Sequence, residues 1–565
     1  MTRADTANQP ATIPTPPNFP VIWEQPGDAR LFWTLDLMHC PAPLTPLTHA
    51  LIRYMYQDAI STAAAELELP IRALNRQINT YMYSAIFPVM PPDGPDGMAA
   101  QGKRAEERLG AAMARLDDLW RDEWLPEIEE HLAFWEGFDL HGASPESLLA
   151  HLDETLDRIS RLWAIHFHIV LPCHTAASMF EDMYRDLFAG ESALDAYRLM
   201  QGFDNATLQA DRALWRLGRA ARVSAPVRDV LATRAARDVP AALTRTPEGR
   251  AFLVELRAYL EQYGKRGDQV FELSTPRWIE DPTPVIETLQ EYVGQPDRDQ
   301  EAELAALAAE RDRRVTAARE RLHGYPQAAV GQFEFFLKAA QAAAPLRENH
   351  NMLIDFKAQY LLRQLLLEFG RRFAAAGAID QPDDVFYLTL DELRESMAAP
   401  GAGDRRQAVA ERRAAIAHFG AIAAPPALGT PPPGPPPDDP ISRALGKVLG
   451  MPPAPATEPD VLRGVPASSG AVRGPAKVLH SLAEAGKLQP GDVLVAEATV
   501  PPWTPLFATA AAVVTDVGGV LSHGAIVARE YCIPAVVGVG MATAVIHDGQ
   551  LIEVDGDAGI VRIIS

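Results

Sequence analysis

From about Val21 to Gly420, apolar residues recur at i, i+3, i+4 and i+7, the spacing that lays one face of an α-helix on a core. The pattern predicts helices over 105–138, 147–171 and 356–377. Residues 301–322, EAELAALAAERDRRVTAARERL, are charged nearly all round, which suits a solvated arm or hairpin better than a core helix. After Val461 the period shortens. PAKVLH (475–480), DVLVAE (492–497), AAVVT (511–515), AVVG (535–538), QLIEV (550–554) and GIVRII (559–564) are β-branched runs bounded by Gly, Pro and Asp. They read as strands of a compact α/β domain of about 100 residues.

Between the two patterns lies APPALGTPPPGPPPDDP (424–440), in which prolines fix φ and remove donors, so it can form neither a helix nor a central strand. The expected organisation is a disordered Pro/Thr-rich tail (1–20), a helical domain (21–420), a semi-rigid Pro-rich linker (421–460) and a small α/β domain (461–565). A small domain on such a tether suggests a domain that travels.

Composition narrows the function. The chain has 565 residues, 47% apolar and 7% aromatic, with a net charge of −22. This charge disfavours nucleic acid and anionic membranes. Cys40, Cys173 and Cys532 are odd in number and lie far apart, so neither a disulfide framework nor a zinc site is expected, and a reducing cytoplasm fits. No run approaches the 18 apolar residues of a spanning helix, and the N-terminus lacks a signal peptide's apolar core.

The chemistry concentrates in TDVGGVLSHGAIVARE (515–530). A strand, a Gly-Gly turn and the N-cap residue Ser522 lead into a helix whose first residue is His523 and which Pro534 ends. At a helix N-terminus the dipole disfavours a second proton on the ring, leaving it nucleophilic, and unpaired N–H groups await an anion. Gly518, Gly519 and Gly524 allow a phosphate to approach the backbone. The setting suits a covalent phosphohistidine.

GVLSHGAIVAREYCIPAVVG (519–538) resembles the phosphohistidine swivelling domain of the phosphoenolpyruvate-utilising enzymes, a family that includes phosphoenolpyruvate synthase, pyruvate phosphate dikinase and rifampin phosphotransferase. RGVPASSGAVRGPAKV (463–478) and GDVLVAEATVPPWTPLF (491–507) match in the same order. The resemblance implies that His523 is the phosphorylated residue. Many dikinases have Thr where this chain has Leu521, which is more like rifampin phosphotransferase. In the helical part, HCPAPLTPL (39–47), YGKRGDQVFELSTPRWIEDP (263–282), LRENHNMLIDFKAQYLLRQLLLEFGRRF (346–373) and DQPDDVFYLTLDEL (380–393) look like the substrate-binding region of rifampin phosphotransferase.

No ATP-grasp pattern is seen in 21–420, and no phosphoenolpyruvate-binding barrel is expected beside the small domain in this reading. The layout resembles phenylphosphate synthase and the two-component kinases of hydroxyphenyl ketones such as acetovanillone. It implies that a separate ATP-grasp subunit binds ATP and Mg²⁺, phosphorylates His523 and releases AMP and phosphate. The carried group would then pass to a phenolic hydroxyl. A split antibiotic phosphotransferase and a non-catalytic phosphocarrier are the alternatives.

For the acceptor side, the block Arg347–Asn351 is expected to open a helix. Arg347 is the candidate phosphate contact, and His350 or Glu348 the candidate base. Asp355 and Arg363 lie further along that helix; Arg266 and Arg277 are candidates to reach the cleft. Trp163, Phe167 and His166, with Phe32 and Trp33, are candidates to line an aromatic pocket. His166 and His168 cannot share a helix face, which argues against a metal site built on that pair. Arg529 is positioned to contact phosphate or to pair with a neighbouring acid.

Overall fold

In the computed structural model, which describes residues 12–398, 403–434, 437–450, 458 and 460–564, the 3.6-residue periodicity becomes long packed helices. Helix α1 (Pro145–Leu187) starts at Ser144, whose side chain accepts from Ser147 N–H, and buries Leu152, Leu156, Ile159 and Trp163 along one stripe. The other helices that frame the site are α2 (Ala206–Val223), α3 (Gln300–Arg321), α4 (Gln327–Asn351) and α5 (Gln359–Ala375). Helix α4 packs along α1. A wider π-helical stretch, Met352–Ala358, joins α4 to α5 in one rod. The Arg347–Asn351 block therefore closes a helix instead of opening one. The charged α3 buries only Val315 and Ala318, as its pattern demands.

The helical region also holds a sheet that periodicity missed. Strands β1 (Phe32–Leu35), β2 (Ile71–Ile78), β3 (Tyr81–Pro88) and β4 (Ala427–Gly429) pair antiparallel in the order β2-β3-β1-β4. The β2–β3 turn is Asn79-Thr80, both at positive φ, the mirror-image turn that matches strand twist. Trp33 and Phe32 belong to this sheet, and Trp33 is buried in a core separate from that of α1.

Two boundaries move. Residues 1–11 of the expected tail lie outside the described residues, but Phe19 is fully buried against Tyr81, Tyr83 and Phe419. An aromatic side chain with a pocket to fill outweighs the local proline content. The stretch expected as a linker is anchored twice. Ala427–Gly429 forms the edge strand β4, and Pro440–Leu449 forms α6, capped by the Asp439 carboxylate. Lys447 of α6 pairs with Glu181 and Asp182 of α1 at 2.6 and 2.8 Å. Within the linker, residues 435–436, 451–457 and 459 lie outside the described residues.

The C-terminal domain holds β5 (Val461–Arg463), β6 (Val465–Ser468), β7 (Ala471–Leu479), β8 (Val493–Ala496), β9 (Ala512–Thr515), β10 (Ala535–Val537), β11 (Leu551–Asp555) and β12 (Ile560–Ile563). Their order is β5-β12-β11-β7-β8-β9-β10-β6, with β7 to β10 parallel. The continuous apolar run of β9 is buried throughout, as a central parallel strand requires. Helix α7 (His523–Glu530) follows β9.

Candidate functional site

Ser522 occupies the N-cap position in extended conformation, and His523 opens α7, although the Ser522 side chain makes no capping bond. The preceding glycines are explained by packing. Gly518 has φ +112°, and a Cβ on Gly519 would lie 2.2 Å from the Lys447 carbonyl oxygen. The N–H groups of Gly519 and Leu521 donate to Val448 and Lys447 of α6. A Cβ on Gly524 would meet Thr499 Oγ1 at 2.5 Å. These three glycines thus fit the turn to α6 and to Thr499, where a close phosphate approach was expected.

The C-terminal domain is docked with His523 facing the helical region. Nδ1 lies 3.5 Å from Glu348 Oε1, an ion-pair distance that leaves Nδ1 without a hydrogen bond. Nε2 lies 3.3 Å from Thr504 Oγ1. Thr504 donates its own proton to Pro501 O at 2.8 Å, so the ring nitrogen is the donor in that contact. Glu348 Oε2 accepts from Thr207 Oγ1 at 2.8 Å, and Asn349 Oδ1 accepts from Ala206 N–H. Both partners sit in the first turn of α2, whose positive end favours the carboxylate. Burial alone raises the Glu348 carboxyl, but His523, Thr207 and Arg347 together hold it below the ordinary range.

Arg347 is buried, its Nε and Nη1 lack partners among the described residues, and burial lowers its pKa. It lines a cleft with Tyr197, Ile526, Arg529 and Glu530, where the two domains meet. Arg529 is committed elsewhere. Its Nη1 donates to Ala467 O and Val520 O at 2.8 and 3.0 Å, and its guanidinium lies 4.4 Å over the Tyr197 ring. Burial pushes it down to about 10. It braces α7 against its own domain and against Tyr197, and makes no ion pair among the described residues.

Arg266 and Arg277 do not contact His523. Arg266 donates to the Tyr259 hydroxyl and stacks 4.5 Å over Trp278; Arg277 donates to Gln269 O at 2.7 Å. Both brace the loop 264–281. Arg363 donates to Leu273 O and pairs with Glu280, holding the same loop. That loop presents Phe271.

Phe271 completes an aromatic cluster with the expected α1 residues. Trp163 lies 5.1 Å from Phe271 and 4.6 Å from His166, and Tyr56 lies 5.4 Å from Phe167. His39, held by Asp36 at 3.1 Å, stacks its edge on Phe271 at 5.5 Å. His166 and His350 approach to 4.7 Å. His350 Nδ1 donates to Leu346 O at 2.7 Å. Burial and the neighbouring His166 push it down to about 4. His168 faces the other way, 2.6 Å from Glu66, as helical spacing requires.

Sequence reasoning missed Thr207, Thr504, Tyr56 and Phe271. Thr504 and Phe271 carried a local signal, since they lie in the quoted 491–507 and 263–282 motifs. The others come from segments 200 or more residues from His523 and are recruited by packing.

Two family models match this chain. Residues 166–348 match the rifampicin phosphotransferase fourth domain, and residues 488–559 the mobile domain of PEP-utilising enzymes. The chain is 40% identical to chondramide synthase cmdD of Chondromyces crocatus over 562 residues, 98% of this chain and 14% of that protein. It is 31% identical to the uncharacterized phosphotransferase YvkC of Bacillus subtilis over 71% of this chain and 47% of that one. Rifampicin phosphotransferase of Streptomyces sviceus is 32% identical over 57% of this chain and 36% of its own length. The chain thus spans less than half the length of each of these relatives. Its C-terminal domain is similar to the mobile domain of the phosphoenolpyruvate-utilising enzymes, and part of its helical region is similar to the fourth domain of rifampicin phosphotransferase.

Proposed function

We propose that this chain carries a phosphoryl group on His523 and delivers it to an aromatic hydroxyl bound in the helical region. The observation that carries the reading is the position of His523, largely enclosed at the N-terminus of α7 and 3.5 Å from Glu348 of the other domain. A nucleophilic ring is of use only if it meets a donor and an acceptor in turn, and here it is turned toward the acceptor side. The aromatic cluster of Trp163, Phe167, Tyr56 and Phe271 offers an apolar wall suited to a phenol.

In the transfer step the phenolic oxygen attacks phosphorus, the N–P bond to His523 breaks, and the hydroxyl proton passes to Glu348. The N–P electron pair stays on the ring, and Glu348, 3.5 Å from Nδ1, hands the proton on to the ring, so atoms and charge balance. His523, Thr207 and Arg347 hold the Glu348 carboxyl below its ordinary range, which keeps it available to accept the proton. Arg347, with unpartnered donors, supplies positive charge beside it. The base role passes to Glu348 from His350, whose ring is tied to Leu346 O. The donor is an ATP-grasp subunit that binds ATP and Mg²⁺ and transfers the β-phosphoryl, releasing AMP and phosphate; a heteromeric complex in the cytoplasm is the setting. Among the described residues, no helix is long and apolar enough to cross a membrane.

A natural-product acceptor is the second reading, favoured by similarity to proteins named chondramide synthase and rifampicin phosphotransferase.

The test mixes the chain with an ATP-grasp protein, labelled ATP and a panel of phenols and macrocyclic antibiotics. Acid-labile label on the wild type, absent from His523→Ala and discharged by a phenol with AMP release, supports the first reading. Discharge by a macrocycle alone selects the second. Product formation that survives His523→Ala overturns both.

A further inference from the structure

We propose that His166, His350 and Asp355 hold a divalent transition-metal ion, independently of whether the chain transfers phosphoryl groups. Each of the three offers a ligating atom, and these atoms lie within 4.8 Å of one another. His166 Nδ1 and Asp355 Oδ1 are 3.2 Å apart. Two ligands each about 2.0–2.1 Å from a tetrahedral ion sit about 3.3 Å from one another, so this pair already has the spacing of a shared ion.

His350 supplies the second observation. Its Nδ1–H is fixed on Leu346 O at 2.7 Å, which sets the tautomer and leaves Nε2 as the ligating nitrogen. Nε2 is buried with no partner among the described residues, and the residue is 1% exposed. A backbone carbonyl on the far nitrogen is the usual second partner of a metal-bound histidine. A buried, unbonded imidazole nitrogen otherwise has no reason to point at a histidine and a carboxylate.

The backbone is shaped for this convergence. On a regular α-helix, residues five apart lie about 140° apart around the axis, so His350 and Asp355 would diverge. The π-helical stretch Met352–Ala358 widens the turn and returns Asp355 to the His350 side. His166 arrives from α1. Trp163 and Phe167 flank it at 4.6 and 5.0 Å and keep the site dry.

Two imidazoles and one carboxylate suit Zn²⁺, Co²⁺, Mn²⁺ or Fe²⁺ better than Mg²⁺ or Ca²⁺, which favour all-oxygen sets. Three protein ligands leave a fourth position for water or a ligand oxygen.

The experiment strips the full chain with chelator, then titrates Co²⁺ and Zn²⁺ and measures bound metal by mass spectrometry and the visible Co²⁺ absorption. One equivalent, with a cobalt band characteristic of nitrogen and oxygen ligands that Zn²⁺ bleaches, is expected. His350→Gln and Asp355→Asn should each lower affinity at least about tenfold. His168→Ala, which faces Glu66, should leave it unchanged. Less than a tenth of an equivalent on the wild type overturns the proposal whether or not the variants fold, as does equal binding by folded His350→Gln.

Discussion

The two sides of the His523–Glu348 contact are built by opposite means. His523 is placed by nineteen consecutive residues, 512–530: a buried strand, a Gly-Gly turn, an N-cap position and a helix. Glu348 is placed by the end of α4 and by two segments that lie more than 140 residues earlier in the chain, the first turn of α2 and the α1 packing. In the proposed relay, a group that travels between sites has to bring its environment along, so local encoding suits it. The proposed receiving site stays put and can draw on the whole interior. Docking joins them through Lys447 of α6, which holds α1 by its ammonium and the turn before His523 by its carbonyl.

The sharpest way to break this contrast is His523→Ala. In the reconstituted reaction, product formation should fall at least about 10³-fold with little change in thermal unfolding. A large loss of stability would mean that the histidine is structural. Glu348→Gln should separate the two sides. Discharge of phosphorylated protein to the acceptor should slow about 10²-fold while labelling from the donor proceeds at its normal rate. If labelling falls equally, Glu348 belongs to the donor step as well.

Lys447→Met tests the join. It leaves the Glu181 carboxylate buried without its ammonium partner, which costs about 1–3 kcal/mol. Protease cleavage in the proline-rich stretch should then accelerate roughly tenfold, whereas an unchanged rate would show that α6 does not hold the domain. The smallest effect is expected from pH. Burial raises Glu530 to about 7, although Gly202 N–H and Arg529, Arg311 and Arg347 draw it down. Between about pH 4.5 and 7 the folded protein keeps a proton that the unfolded chain has lost, so this group's contribution to stability falls as pH rises across that window and levels off above it. Glu530→Gln should flatten that slope in thermal melts from pH 5 to 8; an undiminished slope assigns it to another group.

The C-terminal strands were readable because parallel strands buried on both faces leave continuous Val/Ala runs, as in AVVT. The first sheet was not, since β2 alternates poorly and β4 is three residues in a proline-rich stretch, paired only because β1 offers an edge. Buried arginines misled for a related reason. Arg266, Arg277 and Arg529 look like free cations in sequence, yet each satisfies backbone carbonyls, a hydroxyl or a ring inside the fold.

Sequence by itself determined the helix-then-strand division, the place of His523 at a helix start and its likeness to phosphohistidine domains, because these follow from periodicity and local backbone chemistry. Tertiary structure alone decided that His523 faces Glu348, that α6 is docked and that the π-helical stretch turns Asp355 toward His350 and His166. Those outcomes depend on which distant surfaces bury each other and which buried polar groups must find partners, and no short window of residues contains that information.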